Sequence, residues 1–181
     1  MQSKQELRRQ FKALREAMGT PERMLGSDLI CRHLGELCVA RKYLRVGAFW
    51  PFGAEVDLRP LVAAHPHIAF FFPRITEQQP PRLNWGLAPL EPGAWGLLEP
   101  ISAPHPLPPV QLLLVPGLAF ADNGHRLGYG RGFFDGVLAA LEPGVATLGV
   151  GFRFQHGQTV PIEPHDRPVQ GLVDERGIRW L

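Results

Sequence analysis

Apolar residues recur at helical spacing near the start of the chain: Leu7, Phe11, Leu14 and Met18 make one stripe. Ser3 and Glu6, three apart, fit a capping box, so a helix over residues 3–18 is predicted. Lys4, Arg8, Lys12 and Arg15 make a second, basic stripe, roughly 80° around the wheel at about 100° per residue. Thr20-Pro21 opens a second helix, running to about residue 38. The apolar run 44–50 (LRVGAFW) predicts the first buried strand, and Asp57 stands where it would cap a short helix through Ala64. Residues 67–72 read as a second strand, stopped by Pro73. Residues 73–110 are proline-rich, with a strand candidate at 83–87 and a loop at 100–109, where prolines remove backbone donors. The run 111–115 (QLLLV), ended by Pro116-Gly117, has the unbroken apolar character of a central parallel strand. A helix over 133–141, a strand over 146–150 and one or two strands in 172–181, about a turn at Arg176-Gly177, complete the pattern. Strands alternating with helices imply a layered α/β fold. No repeat is visible, and neither side of the 73–110 excursion has a pattern of its own, so one domain over residues 1–181 is expected.

Hydrophobic residues make up 45% and charged residues 20% of the 181, which rules out disorder over the whole chain. A formal net charge of +2 is too small to argue for nucleic acid. That reading rests on the basic stripe alone, and such a face is usually solvated; no nucleic-acid partner is expected. The first 18 residues are charged and lack an apolar core, so they are not read as a secretory signal. No apolar run reaches spanning length, so no membrane partner is expected. Cys31 and Cys38 share a helical face about two turns apart, too far for a disulfide within a straight helix. Reduced thiols suit the cytoplasm.

Residues 126–135 (RLGYGRGFFD) carry the strongest chemical signal. Gly128, Gly130 and Gly132 alternate just before a predicted helix, letting backbone approach a ligand, while the helix start favours phosphate. Arg126 and Arg131 add charge, and Asp135 falls in the first helical turn, where it could hold Mg2+ on a phosphate. The spacing matches neither common nucleotide fingerprint, and a loop that only turns the chain is the alternative. Trp50, Phe52 and Glu55 follow the first strand, where open α/β sheets bind ligands. The aromatics could stack on a heterocycle and Glu55 accept its N–H groups; core aromatics and a capping acid are the alternative. In residues 163–168 (EPHDRP), Asp166 is a second metal candidate and His165 an acid or base. The remaining histidines show no ligand spacing, and most are expected on the surface.

These segments together resemble the 5-formyltetrahydrofolate cyclo-ligase family, nearly end to end. The resemblance rests on Lys4 and Arg8, Trp50-Pro51 with Glu55-Val56-Asp57, and residues 95–100 (WGLLEP). It continues through residues 112–135, 149–155, Pro161 and His165-Asp166. It implies a three-layer α/β/α sandwich with a mostly parallel central sheet, like ribose-5-phosphate isomerases and CoA transferases. It implies ATP as co-substrate, bound by Lys4, Arg8, Arg126, Leu127, Gly128, Tyr129, Gly130, Arg131, Gly132, Phe133 and Phe134. It implies Mg2+ at Asp135 and Asp166, and 5-formyltetrahydrofolate at Trp50, Glu55, Tyr129 and Phe133. Arg126, Arg131 and Asp135 are the implied catalytic residues, in a cytoplasmic monomer. Phe133-Phe134 departs from the family's frequent Tyr-Tyr, and Gln111 from a frequent Asp. A sugar-phosphate isomerase or CoA-transferase-like enzyme, and a folate- or nucleotide-binding regulator without turnover, are the competing expectations.

Overall fold

The computed structural model describes residues 3–181. The capping box forms: Ser3 Oγ accepts from Glu6 N at 3.2 Å, and Glu6 Oε2 accepts from Ser3 N at 2.8 Å. It starts α1 (Lys4–Ala17). The buried residues of α1 are Leu7, Phe11 and Arg15, whereas Leu14 is 47% exposed. A ladder of every fourth residue advances about 40° per step. The buried face therefore lies between the two stripes that the sequence suggests, and it takes in one of the arginines.

Helix α2 (Thr20–Arg41) begins with proline in its first turn and runs about one turn beyond the expected end, closing on a left-handed Lys42. Helix α3 (Arg59–Ala64) is capped one residue later than expected, at Leu58; Asp57 Oδ1 still accepts from Arg59 N at 3.0 Å.

The main sheet holds β1 (Arg45–Gly47), β2 (Ala69–Gln78), β3 (Pro81–Gly86), β6 (Leu112–Pro116), β9 (Ala146–Val150), β10 (Gly171–Asp174) and β11 (Gly177–Trp180). Between β3 and β6 the chain forms the hairpin of β4 (Leu90–Pro92) and β5 (Leu98–Pro100). Between β6 and β9 it forms the hairpin of β7 (Ala119–Phe120) and β8 (Arg126–Leu127), then α4 (Phe133–Ala139). The sheet order is β11-β10-β9-β6-β1-β2-β3. The pairs from β10 to β2 are parallel; β3 and β11 flank them antiparallel.

Strand β1 is shorter than the run 44–50, because the chain leaves the sheet after Gly47. Pro73 does not stop β2, contrary to expectation. Phe71 faces β1, its carbonyl accepting from Ala48 N at 2.8 Å. Pro73, two residues on, faces the same side beyond the end of β1, so its missing N–H removes no ladder bond. Gln111 supports the start of β1, its Oε1 accepting from Leu44 N at 2.7 Å and Arg45 N at 3.1 Å.

The strands bury both faces. Val46, Phe70, Phe72, Leu112 and Leu114 meet Ile30, Leu34 and Cys38 of α2 and Leu61 of α3. Phe71, Leu113, Val115 and Leu172 meet Phe134, Val137 and Leu138 of α4. That is the expected α/β/α layering, with a thin second helical layer: α4 spans seven residues and stops before Leu141. Helix α1 lies elsewhere, packing Leu7 and Phe11 on Leu118, Ala119 and Leu127. From β1 the parallel strands proceed one way to β2 and the other way to β6. The crevice at the carboxyl ends of β1 and β6 is thus the switch point, where sheets of this kind bind ligands.

Candidate active site

A cavity of about 490 Å³ opens at that switch point. This is ample for a small ligand or the reacting ends of larger ones. The loop after β1 contributes Phe49, Trp50, Phe52 and Glu55; α1 contributes Lys4 and Arg8. The loop from Arg126 to Asp135, the hairpin residues Trp95 and Glu99, and the turn bearing Glu163, His165 and Asp166 complete the lining. Every residue that the sequence nominated therefore faces one space.

One half is cationic. Arg8 reaches into the glycine-rich loop, its Nε donating to Gly128 O at 2.9 Å. Gly130 and Gly132 have φ of 89° and 73°, and a Cβ on Gly130 would come within 3.0 Å of the Arg8 guanidinium carbon. Both turns thus favour glycine for their backbone, and a side chain at Gly130 would also push the Arg8 guanidinium aside. Arg126, buried, donates from Nη1 to Asp135 Oδ1 at 3.0 Å and to Arg167 O at 3.3 Å. Its Nε has no partner among the described residues. Arg131 is exposed and stacks over Trp95, 4.6 Å from the ring centre. Leu127 offers only backbone, since its side chain lies in the α1 core. With α4 so short, most of the positive field comes from these side chains rather than from a helix dipole.

Lys4 pairs with Asp166 at 2.7 Å and Glu163 at 3.1 Å. Burial pushes the ammonium pKa down, but the hydrogen bonds and charges of the two carboxylates reverse this and leave it raised. Burial likewise pushes the Asp166 carboxyl up, and Lys4 with the Glu163 N–H brings it below its ordinary value.

The other half is aromatic and holds one acid. Trp50 packs edge-on against Phe72, with ring centres 5.4 Å apart, and Phe133 lies 6.4 Å from Trp95. Phe134 is a core residue as much as a lining one, edge-on to Trp85 at 6.2 Å. Glu55 is 8% exposed. Its Oε1 accepts from Tyr129 Oη at 2.6 Å and its Oε2 from Phe52 N at 2.9 Å. Each carboxylate oxygen has a second lone pair for a ligand donor. Burial raises the Glu55 pKa, against the Tyr129 hydrogen bond, the Arg15 charge and the Phe52 N–H.

A divalent cation wants oxygen donors. Asp135 keeps Oδ2, and Asp166 keeps Oδ1, free of hydrogen bonds among the described residues. These two oxygens are of the donor type that Mg2+ takes. Among the described residues, Glu163, His165 and Asp166 bring their ligand atoms within 4.8 Å of one another; Asp135 is not a member of that group.

Sequence reasoning passed over Arg15, Trp95, Glu99 and Glu163. Arg15 was visible in the basic stripe, but only the fold buries it. Trp95 has φ 55° and ψ 25°, a left-handed backbone rare for a bulky residue, and nothing in its composition signals that. His156 also departs from the surface expectation: its side chain is 6% exposed, 3.6 Å from Asp174 and edge-on to Phe120. Among the described residues no helix is long and apolar enough to cross a membrane.

The family model of the 5-formyltetrahydrofolate cyclo-ligase family matches residues 1–175. A 5-formyltetrahydrofolate cyclo-ligase of Haemophilus influenzae is 21% identical over 192 residues, covering 95% of this chain and 97% of that protein. The 5,10-methenyltetrahydrofolate synthetase of Aquifex aeolicus has a solved structure with a TM-score of 0.83 and 29% identity; the match covers 98% of this chain and 92% of that one. A synthetase of the same name from Mycoplasma pneumoniae has a TM-score of 0.79 at 18% identity, covering 96% and 99%, and shares the fold.

Proposed function

The chain belongs to the 5-formyltetrahydrofolate cyclo-ligase family, and from that membership we propose how its cavity performs the reaction. The enzyme closes the formyl group on N5 of 5-formyltetrahydrofolate onto N10, giving 5,10-methenyltetrahydrofolate. The formyl oxygen is a poor leaving group. Its attack on the γ-phosphorus of ATP releases ADP and turns that oxygen into part of a phosphate. N10 then attacks the activated carbon and gives up its proton to solvent or the departing phosphate, and phosphate leaves with the oxygen.

No covalent enzyme intermediate is needed, so the protein's task is placement and charge. The N–H groups of the 128–132 loop, with Lys4 and Arg8, hold the triphosphate. Arg126 and Arg131 face the transferring phosphoryl. Trp50 and Phe133 flank the pterin, and Glu55 accepts its N–H donors. Mg2+, when bound at Asp135 and Asp166, supplies positive charge against the phosphates.

The observation that carries this reading is Tyr129: it belongs to the nucleotide loop, yet its hydroxyl is bonded to the folate acid, Glu55. Two ligand subsites that share one side chain suit a reaction between two substrates. The test mixes the protein with (6S)-5-formyltetrahydrofolate, Mg2+ and ATP and follows the near-ultraviolet band of the methenyl product. Growth of the band only with ATP present is expected. A flat trace with both ligands bound would favour a regulator instead.

A further inference from the structure

We infer that Arg15 is a positioning residue for the folate-binding acid: directly and through Tyr129, it holds Glu55 in place in the cavity and biases it toward the acceptor form. The inference rests on the reading of Glu55 given above.

Arg15 is 4% exposed, at the end of the buried ladder of α1. Among the described residues its guanidinium makes one side-chain hydrogen bond, from Nη2 to Tyr129 Oη at 2.5 Å. Nη1 lies 4.0 Å from Glu55 Oε1, and Nε has no partner among the described residues. Tyr129 has a single hydroxyl proton, which it gives to Glu55 at 2.6 Å. Its oxygen is therefore left to accept from Arg15. The chain of donors has one direction: Arg15 to Tyr129 to Glu55.

Burying a guanidinium is costly, and a fully packed apolar side chain serves stability as well or better. Arg15 is sparsely bonded, and Glu55 is the one carboxylate among the described residues within ion-pair reach of it. A buried carboxyl alone favours the protonated form. Protonated, Glu55 would present a donor where the pterin also presents donors. Arg15 and Tyr129 are the charged and titratable groups that bear on Glu55; the Phe52 N–H completes its surroundings. The same helix also grips the nucleotide loop one residue earlier, through Arg8 and the Gly128 carbonyl. Helix α1 thus anchors Gly128 and Tyr129 in succession and ties the acid to that anchor.

The test uses the full chain and four variants: Arg15→Met, Arg15→Lys, Tyr129→Phe and Glu55→Gln. It reads KM for each substrate and the pH profile of kcat/KM for the folate. Arg15→Met is expected to raise the folate KM at least about tenfold with the ATP KM within about twofold. Its acid limb should move to higher pH, since Glu55 loses its cation. Arg15→Lys should recover most of both effects. Tyr129→Phe should raise the folate KM with a smaller move of the acid limb. Equal losses for both substrates in Arg15→Met, or an unmoved acid limb, would overturn the inference. If Arg15→Met does not fold, Tyr129→Phe decides, and a wild-type folate KM there overturns it. Glu55→Gln separates the two claims. A wild-type folate KM in that variant removes the reading of Glu55 itself. A raised one, beside a normal Arg15→Met, removes only the role of Arg15.

Discussion

Asp135 has two partners in view, Arg126 at 3.0 Å and the proposed metal, so its carboxylate can be tested apart from its bulk. Asp135→Asn keeps the shape and removes the charge. Turnover is expected to fall at least ~100-fold, as for losing a group that stabilises developing charge. Half-saturation should also need more Mg2+. Unchanged turnover across a Mg2+ titration would take Asp135 out of phosphoryl transfer. Cys31 and Cys38 form a contrasting pair. Burial pushes their thiols up to about 12 and about 11, respectively. Both are free and buried. Native protein near pH 8 should therefore react with a thiol reagent far more slowly than unfolded protein. Rapid labelling without unfolding would show that the α2 face opens. The residue types at these positions were legible in the sequence; the pairing of Asp135 with Arg126 was not, because it depends on how the loop turns.

At the scale of elements, β6 was the most legible, since an unbroken apolar run can only be satisfied by burial on both faces. Leu113 is fully buried among Trp85, Val115 and the residues of α4. Leu113→Ala should cost about 2–5 kcal/mol of unfolding free energy. Denaturant unfolding with an unchanged m-value would show it; a loss below about 1 kcal/mol would mean that the α4 layer closes over the gap. Helix α1 was legible in extent but not in phase. Its capping box fixed the start, whereas its buried face was set by the β7–β8 hairpin that it covers. That is why Arg15 is inside and Leu14 outside. Pro73 misled for a related reason: a strand may carry proline where its neighbour has already ended, and only the register of β1 on β2 shows where that is.

For the molecule as a whole, the loss of stability in acid has an identifiable source in His156. Burial lowers its pKa from 6.5 to about 4, against the opposing charge of Asp174 and with help from Arg179 and Arg176. Between those pH values the unfolded chain binds the extra proton, so stability falls as pH drops from 6.5 toward 4. The loss approaches roughly 3 kcal/mol at about 1.4 kcal/mol per pH unit. Asp174, held low despite burial by Arg176, adds its own loss below 3.8. His156→Gln should flatten the upper part of the profile, read as unfolding midpoint against pH; an unchanged slope would assign the titration elsewhere. The sequence alone determined the layered α/β class, the strand that centres the sheet and the identity of the glycine-rich loop. Those follow from periodicity, apolar runs and backbone needs, which are local. Only the tertiary structure decided that β1 and β6 lie side by side at a switch point. It alone decided that α1 crosses to the glycine-rich loop, and that Arg15, Tyr129 and Glu55, up to 114 positions apart, meet in one hydrogen-bonded chain. Such contacts depend on strand order and loop path, and residue spacing carries no record of either.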